Sequence, residues 1–207
     1  MSKSFIITGT DTGIGKTVFS AALVKALDGN YWKPIQSGIE GVVDTKTVQN
    51  LTGFPDERFL PESYVLTQPL SPHRAAELDD IEIDMGRINI PVSERTLVIE
   101  GAGGLMVPVT RKNLQVNMFK RWNLPMILCA RTGLGTINHT LLSLEAMWAR
   151  GMNVHGIAFI GEENKDNMET IAQLSGTRVL GRLPLLSELN ETNLQKTFAE
   201  NFKLEDF

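Results

Sequence analysis

Cysteine is nearly absent from this chain. One cysteine, Cys129, occurs in 207 residues, which excludes an intramolecular disulfide framework and a cysteine-based zinc knuckle. It lies inside Pro125-Met126-Ile127-Leu128-Cys129-Ala130, an apolar run that reads as a buried strand, so it is expected to serve as a small core residue. The histidines His73, His139 and His155 are scattered and lack metal-site spacing. No apolar stretch approaches the roughly 20 residues of a membrane-spanning helix. Met1-Ser2-Lys3-Ser4 runs straight into an apolar segment, with no signal peptide. Blocks of Lys and Arg are missing too, and the net charge is −4. A nucleic-acid or acidic-membrane partner therefore has no electrostatic support. Repeats and low-complexity segments are also lacking. With 42% hydrophobic and 21% charged residues, the chain can fill a large core and carries no signature of disorder. The reading is a cytoplasmic protein with one domain over residues 1–207.

What is present is concentrated in a few glycine-rich stretches. Phe5-Ile6-Ile7-Thr8 is a strand-type run, Gly9-Thr10-Asp11-Thr12-Gly13-Ile14 a loop, and Gly15-Lys16-Thr17 opens a helix-type segment, Val18 to Leu27. Strand, glycine-rich loop and helix make the context of a phosphate-binding P-loop. Backbone N–H groups face an anion, the lysine reaches the outer phosphates, and the Thr hydroxyl ligates Mg2+. The strict G-x-x-x-x-G-K-[ST] spacing fails by one place, because Thr10 stands where the first glycine belongs and Gly9 just before it. The loop is a variant P-loop.

Along the chain, apolar runs alternate with helix-type segments. Val18 to Leu27 is apolar all round except for Lys25, which predicts a helix buried against a sheet. Tyr31 to Ile35 reads as a second strand, short or near an edge because Pro34 has no ladder donor. Asp44 takes an N-cap position before a short helix, Thr45 to Leu51. Residues 52–72 read as irregular, Pro72 to Leu78 as a helical turn with Ser71 before it, and Asp84 to Ile90 as a short helix. Thr96 to Ile99 is a strand ending at Glu100, and Pro125 to Ala130 another. A helix from Ile137 to Arg150 carries Ile137, Leu141, Leu144 and Trp148 on one stripe, widened by Leu142 and Met147, and ends at Gly151. Val154 to Ile160 is a strand, Asp166 to Leu174 a helix, Arg178 to Leu183 a strand and Thr192 to Phe202 an amphipathic helix. Such alternation requires crossover connections. The predicted fold is α/β, a doubly wound, mainly parallel sheet with helices on both faces, of the P-loop NTPase type.

In such a sheet, ligands bind beyond the carboxyl ends of the strands. Every unusual stretch falls at such an end: Thr10 to Thr17, Gln36-Ser37-Gly38, Glu100-Gly101-Ala102-Gly103-Gly104 and Gly133-Leu134-Gly135-Thr136-Ile137-Asn138. Glu100 stands where a P-loop NTPase places its acidic Mg2+-side residue. Thr17, Glu100 and one further carboxylate suffice for Mg2+, with phosphate oxygens and water completing the shell. Asp44 is the candidate for that carboxylate. Lys33, between Trp32 and Pro34, must snorkel to the strand end or meet an anion. Turned toward the P-loop, it adds a second positive charge beside Lys16. His139, one place after Asn138 at a helix start, reads as structural.

Taken in order, Thr8 to Thr17, Lys33-Pro34 with Ser37-Gly38, Ser71-Pro72-His73, Glu100 to Gly104 and Gly133 to His139 resemble the dethiobiotin synthetase (BioD) family. The resemblance spans about residues 5–140 and rests on the combination of motifs. It implies an ATP-dependent cyclo-ligase of biotin synthesis. CO2 and one amine of 7,8-diaminononanoate form a carbamate, ATP phosphorylates it, and the second amine closes the ureido ring to give dethiobiotin, ADP and phosphate. By resemblance, the nucleotide site comprises Gly13, Ile14, Gly15, Lys16, Thr17 and Val18 with Glu100, while Thr17, Asp44 and Glu100 hold Mg2+. Lys16, Lys33, Thr12 and Ser37 do the chemistry. Thr12, Lys33, Ser37 and Gly103 line the diamine side, and Gly133, Leu134, Gly135, Thr136 and Asn138 take the substrate carboxylate. In relatives that last loop reaches in from a second subunit, so a homodimer is implied.

Two positions depart from the pattern. Gly13 stands where some relatives carry an acidic residue. Gly161 stands where many place an asparagine that reads adenine, leaving Asn164, three residues on, or a backbone group for that task, or an enzyme that tolerates other nucleotides. The rival from another class is a partition or MinD-type ATPase switch on the same fold. Its signature lysine, four places before the glycine aligned with Gly15, is here Asp11. A cobyrinate-type amide ligase would need a glutaminase domain, for which 207 residues leave no room.

Overall fold

Side chains that alternate between two faces of a strand, with apolar residues on both, fix a sheet covered on each side. The structure, a computed structural model, describes residues 3–207; the Met1-Ser2 part of the N-terminal reading lies outside them. The first half of the chain runs β1 (Ser4–Gly9), α1 (Lys16–Ala26), β2 (Asn30–Trp32), β3 (Ile35–Ser37), α2 (Asp44–Thr52), β4 (Phe59–Leu60), β5 (Tyr64–Leu66) and α3 (Pro72–Leu78). The second runs β6 (Leu97–Glu100), α4 (Gln115–Trp122), β7 (Met126–Arg131), α5 (Thr136–Trp148), β8 (Val154–Ile160), α6 (Lys165–Ser175), β9 (Val179–Leu183) and α7 (Glu191–Asn201). Seven strands form one sheet in the order β4-β2-β6-β1-β7-β8-β9, and each neighbouring pair is parallel. The doubly wound parallel fold is as expected.

Alternation sorts the core. Phe5, Ile7, Tyr31, Val98, Ile127 and Cys129 pack under α1, α2 and α7. Ile6, Trp32, Ile99 and Met126 face the opposite way, toward Ala75 of α3, Phe119 of α4 and Met147 of α5. Phe19 to Val24 of α1 is buried without interruption, because α2 and α7 cover the side turned from the sheet. Burying a side chain such as Phe19 or Leu23 contributes about 1.5–3 kcal/mol, which holds the P-loop's helix in place. The C-terminal helix closes this layer, the rings of its Phe198 and of Phe202 just after it lying 6.2 and 5.5 Å from Phe19.

Several local expectations need correction. The run Tyr31 to Ile35 is not one strand. Pro34 has no N–H for the ladder, and its carbonyl accepts from Ser63 N–H (2.8 Å) and Tyr64 N–H (3.2 Å). The chain therefore leaves the main sheet after Trp32, and β3 pairs with β5 in a separate two-stranded sheet. Residues 52–72 contain β4 and β5, too short to carry a periodic signal. Asp84 to Ile90 is not helical, because Asp84 closes a turn, accepting from Gly86 N–H (2.8 Å) through Oδ1 and from Arg87 N–H (3.1 Å) through its carbonyl. Helix α4 was not foreseen, although Val116, Phe119 and Trp122 recur every three residues along it. On α5 the buried residues are Thr136, Thr140, Leu144 and Met147, while Leu142 and Trp148 of the expected apolar face are exposed.

Candidate active site

The P-loop connects β1 to α1 at the carboxyl edge of the central strand. Gly15 caps α1 in the left-handed region at φ +95°, and Ile14 anchors the loop by its burial in the core. The displaced glycine has a steric reason. A Cβ on Gly9 would come within 2.6 Å of Ile14 Cδ1 and 3.1 Å of Lys16 Cδ, so the loop can fold onto β1 only where no side chain stands. Lys16 is buried, and its Nζ donates to the Asp11 carbonyl at 2.9 Å. Gly13 is exposed, and Val18 is half-buried against the core.

Beside Lys16, two elements bring carboxylate oxygens onto one hydroxyl of α1. Thr17 Oγ1 lies 2.9 Å from Asp44 Oδ1 and 2.8 Å from Glu100 Oε1. Lys33 Nζ pairs with Asp44 Oδ2 and, at 3.3 Å, with Glu100 Oε1. Tyr31 OH donates to Glu100 Oε2 at 3.0 Å. The break at Lys33-Pro34 is what frees Lys33 from the ladder and turns it inward. Asp44 is the first residue of α2 rather than its N-cap, which is Val43. Its carboxylate is spent on Lys33 and Thr17 instead of on the helix end.

Lys33 and Glu100 are 5% and 1% exposed, a buried pair of opposite charge. Burial pushes Lys33 down, but Glu100 and then Asp44 carry its pKa above the usual lysine value. Burial works to raise Asp44, and Lys33 overrides it, leaving the carboxyl below its usual range. Lys16 is the opposite case, lowered by burial, with Glu100 the largest influence the other way and Lys33 adding repulsion. Tyr31 is pushed up by burial and then by Glu100, which keeps its proton available to Glu100. Lys33 is a cation already neutralised; Lys16 is a cation short of a partner.

Thr17, Asp44 and Glu100 offer hydroxyl and carboxylate oxygens only, the hard donors that Mg2+ prefers. Among the described residues, no group of three or more His, Cys, Asp and Glu is arranged to hold a metal. The set here has two carboxylates, and its third oxygen is a hydroxyl.

The residues of the expected diamine side divide. A Cβ on Gly103 would come 2.9 Å from Thr12 Oγ1, and Leu105 N–H donates to the Gly9 carbonyl at 3.0 Å, so the 101–104 loop lies against the P-loop. Ser37 ends β3 with its buried Oγ unpaired. Gly133, Leu134, Gly135 and Asn138 are exposed, and only Thr136 of that loop is buried, its hydroxyl donating to the Arg131 carbonyl. At the expected base edge, Gly161 has φ +136°, and a Cβ there would meet Thr132 Oγ1 at 2.6 Å. An asparagine cannot enter without displacing Thr132. Gly161 donates its N–H to Leu183 O at 3.0 Å, and its carbonyl accepts from Arg182 at 2.9 Å. Asn164 caps α6, its side-chain oxygen accepting from Asn167 N–H.

Tyr31 and Arg131 were missed. Arg131 ends β7 and donates to the Thr12 carbonyl at 3.0 Å, with Asp11 Oδ2 at 3.7 Å. Its place at the carboxyl end of a strand was the available signal. Tyr31 gave none, since an aromatic inside an apolar strand reads as core.

A parallel sheet with a P-loop on its central strand, two inward lysines and a hydroxyl between two carboxylates define a P-loop nucleotide-dependent protein. The model of a family described as "AAA domain" matches residues 3–193. Among solved structures, a ParA family ATPase from Chlorobium tepidum superposes with a TM-score of 0.58 at 12% identity, covering 99% of this chain and 92% of that one. A MinC:MinD cell division complex from Aquifex aeolicus gives 0.52 at 12% identity, covering 95% and 86%. At that identity the likeness shows the fold alone. The closer kinship lies in sequence. ATP-dependent dethiobiotin synthetase BioD of Rhodopseudomonas palustris strain TIE-1 is 54% identical over 207 residues, covering 100% of this chain and 98% of the relative. The Novosphingobium aromaticivorans enzyme of the same name is 53% identical over 204 residues, covering 99% and 98%. The Brucella anthropi one is 54% identical over 207 residues, covering 100% and 98%. The chain belongs to the ATP-dependent dethiobiotin synthetase (BioD) family.

Proposed function

We propose that residues 1–207 act as one cytoplasmic ligase domain that converts 7,8-diaminononanoate, CO2 and ATP into dethiobiotin, ADP and phosphate. The observation that carries the reading is the convergence of Lys16 and Lys33 on the Thr17-Asp44-Glu100 oxygens, Lys33 by direct contact with both carboxylates and Lys16 through their electrostatic influence. Two lysines at one site, Lys16 on the P-loop's helix and Lys33 at the break between β2 and β3, suit a reaction in which two anions, a carbamate and a triphosphate, must meet.

One substrate amine attacks CO2, loses a proton and becomes a carbamate. A carbamate oxygen then attacks the γ-phosphorus, and ADP departs. The second amine attacks the carbonyl of the mixed anhydride, the C–O bond to phosphate breaks, and the ring closes. Lys16 takes the outer phosphates, and the anion repays the burial that lowers its pKa. Lys33 faces the carbamate with Thr12 and Ser37, whose unpaired Oγ is a hydrogen-bonding group in want of a partner. Positioning and charge stabilisation are most of what such a transfer needs. Thr17, Asp44 and Glu100 would hold Mg2+, which supplies charge neutralisation to the phosphates. Gly13, Ile14, Gly15 and Val18 form the rest of the phosphate cradle. At the base, Gly161 offers only backbone and Asn164 only what its capping role leaves free.

The substrate carboxylate falls to Gly133, Leu134, Gly135, Thr136 and Asn138 of a second copy in a homodimer. The full exposure of Leu134 and the open Leu142 and Trp148 on the helix behind it support that arrangement. Supplied with 7,8-diaminononanoate, bicarbonate and MgATP, the protein is expected to release phosphate and form dethiobiotin. Hydrolysis of ATP that ignores the diamine, with no cyclic product, is the outcome a MinD-type switch would give and would overturn the proposal.

A further inference from the structure

Gln115 is the first residue of α4, and it is 1% exposed. Both ends of its carboxamide are engaged. Oε1 accepts from Ala102 N–H at 2.6 Å, and Nε2 donates to the Gly104 carbonyl at 3.1 Å. A single side chain thus grips the 101–104 loop at two peptide positions, as a neighbouring strand would. The fit is close, since a Cβ on Gly101 would come 2.7 Å from Phe119 Cζ and 3.0 Å from Gln115 Nε2.

The far side of the same loop meets the P-loop. Leu105 N–H bonds the Gly9 carbonyl. A Cβ on Gly104 would lie 3.4 Å from Gly9 O and 3.5 Å from Thr10 O, and one on Gly103 would lie 2.9 Å from Thr12 Oγ1. The loop also begins directly after Glu100. With three glycines among its four residues it has almost no side chains with which to hold its own shape, and buried peptide groups require partners. Building on the ligase reading above, we infer that Gln115 is a positioning residue for the reaction. It fixes the 101–104 loop so that Gly103 and Thr12, on the diamine side, keep register with Glu100 on the phosphate side.

The test compares wild type with Gln115→Met, which removes both bonds at similar volume, and Gln115→Glu, which keeps the acceptor for Ala102 and loses the donor to Gly104. Hydrogen exchange without ligands is expected to quicken about five- to tenfold for amides in 101–106 and 9–13. The KM for the diamine is expected to rise and kcat to fall, for a combined loss of about 10- to 100-fold in Gln115→Met, with less in Gln115→Glu. The Kd for ATP measured without diamine is expected to stay within about twofold, since Lys16 and the α1 N-terminus are untouched. A merely structural glutamine would lower the melting temperature and leave the KM of the folded enzyme unchanged. That result, or equal losses of ATP and diamine affinity, overturns the inference while wild type still makes dethiobiotin. Wild type that makes none overturns the ligase reading, and this inference with it.

Discussion

Lys33→Ala is expected to lower the rate of dethiobiotin formation by about 10^2- to 10^3-fold, the usual loss when one preorganised charge donor leaves a reacting site. ATP affinity is expected to change little. The two lysines are built for different work. Lys16 springs from the helix behind the P-loop and is pulled down in pKa by its burial, so a phosphate is its natural partner. Lys33 comes from the break between β2 and β3 and is already held by Asp44 and Glu100. Its removal has a structural consequence as well, because Glu100 is buried and would keep only Thr17 and Tyr31. Breaking a buried pair from one side costs about 3–5 kcal/mol, so the melting temperature must be followed and activity read well below it. Lys33→Met, which keeps the aliphatic volume, should give the same loss of turnover. Nucleotide binding measured by calorimetry separates the roles. Loss of ATP binding alone, with turnover intact at saturating ATP, would mean that Lys33 serves the nucleotide and not the carbamate.

Glu100→Gln is the second large effect. The amide keeps the shape of the carboxylate and can still accept from Tyr31 or Thr17, but it brings no charge and sets an NH2 group against a donor on one side. The Mg2+ concentration for half-maximal activity is expected to rise about 10- to 100-fold or more, since even outer-shell changes at metal sites have that effect. The Mg2+-dependent part of ATP affinity should fall with it, which can be measured without turnover. If the Mg2+ dependence of both readouts stays at the wild-type value, Glu100 is a structural partner of Lys33 and Tyr31 and the metal assignment fails. Asp44→Asn is expected to act in the same direction but less strongly, because Asp44 is partly exposed and water can replace an oxygen there.

The parallel sheet was legible because each long strand is an apolar run with helix-type sequence between runs, and Gly15-Lys16-Thr17 marked its central edge. What escaped had physical reasons. The strands β4 and β5 span two and three residues, below the length at which period two can be seen. The Tyr31 to Ile35 run reads as one strand despite Lys33, and the missing N–H of Pro34, together with the donors of Ser63 and Tyr64, divides it between two sheets. That division is what turns Lys33 into the site, so the oddity noticed in the sequence had a cause the sequence could not display. Asp44 looked like a helix cap because its position fits one; its true partners, Thr17 and Lys33, lie 27 and 11 residues away. Gln115 and Tyr31 acquire meaning only through contacts 13 and 69 residues distant in sequence.

The route through a phosphorylated carbamate can be followed with oxygen. CO2 labelled with 18O in both positions, used before it exchanges with water, gives a carbamate whose oxygens carry the label. The oxygen that attacks the γ-phosphorus stays on phosphorus when the second amine displaces phosphate from the carbonyl. Mass spectrometry should therefore find one 18O in each phosphate released with dethiobiotin and one 18O in the ureido carbonyl. Unlabelled phosphate, formed alongside labelled dethiobiotin, would show that ATP is spent elsewhere and that Lys16 and Lys33 do not bring a carbamate to the γ-phosphate.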